Sequence, residues 1–343
     1  MRYIEQHPAM NNSLVDLAPF PLRNLRPDRY RGDNERVPLA LFAEPDRLLL
    51  RQIYDRLLQA FLELDPRTVD LPTRSAHLHR QIADGLWGTL IALFRQLGTA
   101  THSRSVTGAG DLQRALHDLR GGAACALVYA VDLFALDPTR TEGIENLFHL
   151  IRDHLKIMRN CVAELDPSRF EADASLLDHG APLLAEKWSR TEINAGQGPV
   201  RIEFTSTYQG ILCESCLEFS TLDRVIYNLI NNAARFSADG TVRFTLLPLP
   251  AEAPRDIRFI IANHLTPAHR ATLTERFGTN LTALFGGGFT TGGHGLGARI
   301  CADLCAQAYG VPSFEEAAAG GYFGARLVGE EFVAWFHWPV PKK

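Results

Sequence analysis

The chain has 343 residues, 46% of them hydrophobic and 22% charged, with a formal net charge of -4. This composition supports two or three separate cores and excludes disorder as the main state. The acidic balance also removes the main driving force for binding nucleic acid, which is clustered Lys and Arg. Six cysteines in a chain of this length do not make a disulfide scaffold and fit a reducing compartment. The start of the chain lacks the basic head and apolar run of a signal peptide. The most apolar stretch, "GGAACALVYAVDLFAL", is short for a bilayer span and carries Asp132. The expectation is a cytoplasmic protein with no membrane insertion.

Residues 1 to about 45 are rich in Pro, Arg and Asn and read as an irregular arm. Two helical stretches follow, "PDRLLLRQIYDRLLQAFLEL" and "HLHRQIADGLWGTLIALFRQLG", with apolar residues at three- and four-residue intervals. Residues 1–108 thus form a helical N-terminal region without visible chemistry. From 109 to 193 the pattern is that of packing helices. An apolar seam runs through Leu112, Leu116, Leu119, Ala123 and Leu127, and a second through Ile144, Leu147, Ile151, Leu155, Met158, Val162 and Leu165, ended by Asp166 and Pro167. Thr139 and Glu142 form a capping box between them. Two such helices make a hairpin whose stripes can close a four-helix core with a second copy, which predicts a homodimer through residues 109–165. The helical pattern continues to about Arg190, and "NAGQGP", residues 194–199, reads as a linker.

Residues 198–343 change to an α/β texture. Strands are expected in "VRIEFTSTY", "ILCESCLEF", "TVRFTLLPL", "IRFIIANHL", "YFGARLV" and "EFVAWFHWPV", with a helix in "STLDRVIYNLINNAARFSADG". One sheet covered by helices, a two-layer sandwich, fits this order, and the fold class of the whole chain is α+β. Cys213 and Cys216 form a CxxC with no second pair and no His at finger spacing, so these two, like Cys301 and Cys305, read as small buried hydrophobes.

Chemistry concentrates in three places. "GGGFTTGGHGLGARI" sets a glycine-rich loop before a helix. Gly293, Gly295 and Gly297 let backbone amides approach a polyphosphate, at which the helix beginning near Leu296 aims its positive end. "NLINNAARFS" places Asn228 and Asn232 on one face of a helix; Asn232 can give a neutral oxygen to Mg2+, and Arg235 can neutralise phosphate charge. "LHDLRGG" sets His117, an imidazole nucleophile one position off its apolar seam, beside Asp118, a carboxylate able to orient it.

Together these segments resemble the sensor histidine kinases. "NLINNAARFS", "FTTGGHGLGARI" and "FHWPV" are similar to the N-box, the F and G2 boxes and the last strand of the ATP-binding domain, of the ATPase superfamily shared with gyrase and the Hsp90 chaperones. "LHDLRGG" is similar to the H-box of the dimerisation hairpin. The resemblance implies that Asn232 holds Mg2+, that Asn228 and Arg235 lie by the phosphates, that Phe236 packs near adenine, and that Thr290, Thr291, Gly293, Gly295 and Gly297 form the lid. It implies an ATP-dependent kinase that phosphorylates His117 and passes the group to an aspartate on a response-regulator receiver domain. Two departures stand out. "ANHLTP" replaces the usual Asp-x-Gly-x-Gly box, leaving Asn263 to accept from the adenine amino group. Gly121 stands where a side chain commonly positions water for phosphatase action, which predicts weak phosphatase activity. A histidine phosphotransfer or scaffold protein that has lost ATP binding, and a clamp-type ATPase of the same superfamily, are the alternatives.

Overall fold

A computed structural model of the chain describes residues 14–26, 36–102, 109–137, 143–189, 191–194, 198–278, 281–287 and 296–341. Its helical half begins with α1 (Glu44–Glu63), α2 (Leu71–Ala83) and α3 (Leu86–Gln96). α1 buries Leu50, Ile53, Leu57 and Ala60 at the expected spacing. The second helical stretch breaks into α2 and α3 at Gly85, whose φ of 71° an L side chain rarely adopts.

The stretch carrying the first seam is two helices, α4 (Ala109–Arg120) and α5 (Ala123–Leu136), separated by Gly121 and Gly122. Residues 110–136 together have the length and composition of a membrane span, which the sequence reading did not expect; half of their most apolar window is buried against the rest of the fold. The second seam lies on α6 (Gly143–Cys161). This helix ends before the expected Leu165 because Val162 and Ala163 leave it to form β2, parallel to β1 (Val37–Pro38). Besides its seam, α6 buries Asp153, His154, Lys156 and Arg159. A helix buried on both its apolar and its charged sides needs partners all round, and α1, α4, α5 and a later helix, α9, supply them from the same chain. The stripes expected to await a second copy are therefore already covered: Leu116, Leu119, Leu127, Ile144, Leu147 and Ile151 are each at most 2% exposed.

The next residues are not one helix but α7 (Pro167–Ala174), β3 (Leu176–Gly180) and α8 (Ala181–Trp188). Pro167 and Pro182 each start a helix, where the missing N–H costs nothing. A six-stranded sheet follows, with β4 (Glu192–Asn194), β5 (Pro199–Ser206), β7 (Thr241–Leu249), β8 (Asp256–His264), β9 (Phe323–Val328) and β10 (Glu331–Pro339) in the order β4-β5-β7-β8-β10-β9. Only β5 and β7 run parallel. β4 thus brings the sheet's edge into the segment expected as a linker. β6 (Ile211–Ser215) stands outside this sheet and pairs with β3. It is shorter than expected because α9 (Cys216–Arg235) begins at Cys216: the Ser215 side chain accepts from the Glu218 N–H, and Glu218 accepts from the Glu214 N–H, close to a capping box. Cys213, Cys216, Cys301 and Cys305 are buried, with the Cys216 Sγ 3.1 Å from His179 Nε2.

α9 and α11 (Gly297–Tyr309) cover one face of the sheet; α10 (Pro267–Phe277) lies between them in sequence and α12 (Phe314–Ala319) follows. Part of the arm covers the other face. Leu17 joins Ile260, Ala262, Val333 and Trp335 in a second apolar cluster. The buried Arg258 holds the arm there, donating to the carbonyls of Leu14 at 2.7 Å and Ala18 at 2.9 Å and to that of Val15.

The helical half is locked to the sheet half by a buried ionic cluster. Lys187 on α8 donates to Asp153 on α6 and to Asp223 on α9, each at 2.6 Å, and all three side chains are at most 1% exposed. Arg152 and the Tyr227 hydroxyl also reach Asp153. Burial pushes Asp153 up, but Lys187 and Arg152 pull it further down, so it stays ionised. Asp223 has a single ionic partner and an Oδ2 without a hydrogen bond among the described residues. Burial pushes it up to about 6 despite Lys187. A carboxyl with a raised folded pKa contributes stability below its unfolded value that is lost as the pH rises through the folded one. Asp223→Asn removes that loss. Its urea midpoint rises relative to the parent between about pH 4 and about pH 6 and levels off above; a pH-independent difference contradicts this account.

Candidate active site

α4 delivers His117 and Asp118 in its last turn, directly onto α9 and the start of α11. Asp118 is 5% exposed, and a buried carboxylate must be compensated by charge and hydrogen bonds. Arg224 on α9 provides both, with Nη2 at 2.6 Å and Nε at 2.7 Å from the same oxygen, Oδ2. The other oxygen, Oδ1, lies 3.3 Å from His117 Nδ1 and 3.4 Å from Asn228 Nδ2. Burial pushes the Asp118 carboxyl up, and the charge of Arg224 with the hydrogen bond from His117 pulls it further down, to a net position below its ordinary value. Asp118 is therefore an anion at neutral pH. This network assigns the imidazole proton to Nδ1 and leaves the lone pair on Nε2.

Nε2 points at the beginning of α11. A Cβ placed on Gly297 would lie 3.5 Å from His117 Nε2 and 3.5 Å from Asn228 Oδ1. No side chain among the described residues caps this helix, so its first N–H groups and positive end face the imidazole across a gap that the missing Cβ leaves open. A nucleophilic nitrogen, an amide oxygen and a bare helix N-terminus thus converge, an arrangement suited to a phosphoryl group. Arg114 on α4 and Asp303 on α11, 3.6 Å apart, hold the two helices together on the far side.

Gly122 explains how α4 and α9 come so close. It takes φ 47°, ψ -112°, and a Cβ there would approach the Cβ of Tyr227 to 3.3 Å. Gly121 is equally constrained, since a Cβ would fall 2.7 Å from the His117 carbonyl oxygen. Any residue at Gly121 disturbs the turn that carries His117, so a substitution there does not isolate an effect on water positioning.

The other expected residues form a second group, one turn and more along α9. Asn232 is exposed and Arg235 half-buried, with its guanidinium 5.5 Å from the Phe236 ring. The Phe236 ring stacks on His269 of α10, centroids 4.3 Å apart, so one of its faces is already occupied. Asn263 on β8 is 1% exposed; its Nδ2 donates to the His264 carbonyl, and its Oδ1 is buried without a hydrogen-bond partner among the described residues. An orphaned buried acceptor is costly, and it fits a donor such as the amino group of adenine. Leu296 and Gly297 are half-buried at the start of α11. Thr290, Thr291, Gly293 and Gly295, the rest of the expected lid, lie outside the described residues, as do Thr139 and Glu142.

Residues 219–341 match the family described as histidine kinase-, DNA gyrase B- and HSP90-like ATPase. They are a domain of this ATPase family. No curated protein matches the chain. Similar solved structures include full-length ShkA in complex with AMPPNP, at 18% identity and TM-score 0.32, over 69% of this chain and 46% of that one. The Acinetobacter baumannii histidine kinase AdeS matches at 14% identity and TM-score 0.28, over 66% of this chain and 98% of its own. The histidine kinase domain from Erythrobacter litoralis EL346 blue-light activated histidine kinase matches at 12% identity and TM-score 0.31, over 68% and 94%. The chain therefore spans less than half the length of ShkA.

On α9 the sequence singles out Asn228 and Asn232 but not Arg224. The signal was present, because Arg224, Asn228 and Asn232 are spaced by four and so share a helix face. His154 is buried, its ring against Phe94, and burial pushes it down to about 4.

The close approach at Gly122 is open to a direct test. Gly122→Ala combines a positive φ with a tight contact and should cost about 1–3 kcal/mol in chemical denaturation. Gly88→Ala, in the first turn of α3 with nothing within 4 Å of the new Cβ, should instead gain up to about 1 kcal/mol. Equal effects at the two sites would contradict the packing described here.

Proposed function

We propose that this protein is a histidine kinase that phosphorylates its own His117 from ATP and passes the group to an aspartate of a response-regulator receiver domain, in the cytoplasm. The observation that carries this reading is the position of His117 Nε2 against Gly297 and Asn228 of the ATPase-family domain in the same chain.

In this reading, Asn263 Oδ1 accepts from the adenine amino group, Arg235 and Asn228 face the phosphates, and the amides at Gly297 hold the group in flight. Mg2+, held by Asn232, would neutralise charge on the phosphates. The lone pair of Nε2 forms the bond to the γ-phosphorus as the bond to the bridging oxygen breaks, and ADP departs with that electron pair. Nδ1–H stays hydrogen-bonded to Asp118, whose charge stabilises the ring as it becomes cationic. Most of the acceleration comes from positioning and charge neutralisation.

The contact between His117 and the nucleotide site lies within one chain, so transfer proceeds in cis. A homodimer through residues 109–165 would have to use the outer side of α5, where Cys125, Asp132 and Leu136 are exposed, since both seams are covered.

Three measurements test this. With ATP and Mg2+, the parent acquires acid-labile phosphate and His117→Gln acquires none; equal labelling of both sinks the proposal, whereas nucleotide binding with hydrolysis but no label indicates a clamp-type ATPase. Mixing His117→Gln with Asn232→Ala restores no label if transfer is in cis, while recovery would show transfer between chains. Gly297→Ala places a methyl in ordinary contact with His117 and Asn228. It should leave stability within about 0.5 kcal/mol but slow labelling about 100-fold by filling the gap meant for the phosphoryl group.

A further inference from the structure

Arg224 takes no part in the chemistry just described, yet it is the residue on which the acceptor's geometry turns. Its Nε and Nη2 both donate to one oxygen of Asp118, at 2.7 and 2.6 Å. Two donors on Oδ2 fix the rotation of the carboxylate and leave Oδ1 as the oxygen that faces His117 Nδ1. The fork geometry of a guanidinium suits this grip, which a point charge cannot reproduce. Arg224 and Asp118 are 4% and 5% exposed, so their ion pair is shielded from water. The two residues also belong to different halves of the fold, Asp118 ending α4 and Arg224 lying one turn before Asn228 on α9.

We infer that Arg224 is a positioning residue that acts through Asp118, holding the acceptor imidazole as the Nδ1–H tautomer with Nε2 aimed at the start of α11. This inference rests on the histidine-kinase reading for its consequence in catalysis, but not for the tautomer itself. With the tautomer fixed, Nε2 enters the reaction already deprotonated, and the only proton on the ring is the one Asp118 receives or shares as the nitrogen–phosphorus bond forms. Without Arg224 the burial of Asp118 loses its main ionic offset; the carboxyl protonates more readily, accepts less well from Nδ1, and the ring is free to carry its proton on Nε2, where it cannot attack. Asn228, which also reaches Oδ1, can hold the carboxylate in place but does not supply a charge.

The test uses the full chain with selectively nitrogen-15-labelled histidine, the His117 signals being assigned by their loss in His117→Gln. The parent should show the Nδ1–H tautomer and Arg224→Met a mixture with the Nε2–H form. A parent in the Nε2–H form, or a variant with unchanged signals, overturns the inference whether or not the protein labels. On the kinase side, Arg224→Met should label about 100-fold more slowly with ATP affinity unchanged, and the acid limb of its rate profile should move to higher pH. Arg224→Lys, which keeps the charge, should keep the acid limb in place while recovering only part of the rate. Because Arg224→Met buries an unpaired carboxylate, the double variant Asp118→Asn with Arg224→Met serves as a folded control. It should label no more slowly than Asp118→Asn alone, because the effect of Arg224 passes through Asp118. Additive losses would show that Arg224 acts by another route. Failure of the parent to label at all, with the expected tautomer present, would count against the kinase and leave the positioning intact.

Discussion

A lysine sealed from water between two carboxylates decides how the two halves of this protein meet. Lys187, Asp153 and Asp223 lie on three different helices, and none of the three charges is tolerable alone in the interior. Each helix must therefore bring its member of the cluster to one point. That requirement fixes α9 against α6 far more narrowly than apolar contact does, since apolar surfaces can slide against each other while a hydrogen-bonded ion pair has one register.

With α9 fixed, the site follows from its helical repeat. Asp223 and Tyr227 face the cluster, Arg224 and Asn228 face α4, and Asn232 and Arg235 continue toward the exposed end. One rigid element carries the lock, the grip on Asp118 and the side chains of Asn228, Asn232 and Arg235, so their separations are set by the rise of a helix. Gly122 completes this arrangement from the opposite side by removing the atom that would keep α4 away from Tyr227.

Much of this was legible in the amino-acid order. Period and punctuation located most of the helices and the strands of the sheet, and the asparagines of α9, the histidine beside an acid and Asn263 at the end of an apolar strand all stood out as candidate chemistry. What could not be read was what each surface meets. The seams of α4, α5 and α6 show a buried stripe, and a stripe looks the same whether a second copy or a distant part of the same chain covers it. The charged side of α6 is buried too, but only because Lys187 and Asp223 arrive from elsewhere in the sequence. β3 is too short to outweigh its helical neighbours, and α9 starts early because a serine and a glutamate three residues apart cap it within a run that otherwise favours a strand. Arg224 escaped notice for a related reason: on a helix, an arginine is unremarkable until the carboxylate it serves is known.

The arm held by Arg258 gives the ATPase-family domain a different boundary from the one that its sequence similarity suggests. Residues 14–18 lie on the sheet's outer face although about 180 positions separate them from its first long strand. A fragment beginning at the sheet would expose Ile260, Val333 and Trp335 and strand a buried arginine, so the sheet half is not a cassette that can be cut out whole. Residues 14–18 and the sheet are in effect parts of one packed unit, and the helical half lies between them in sequence.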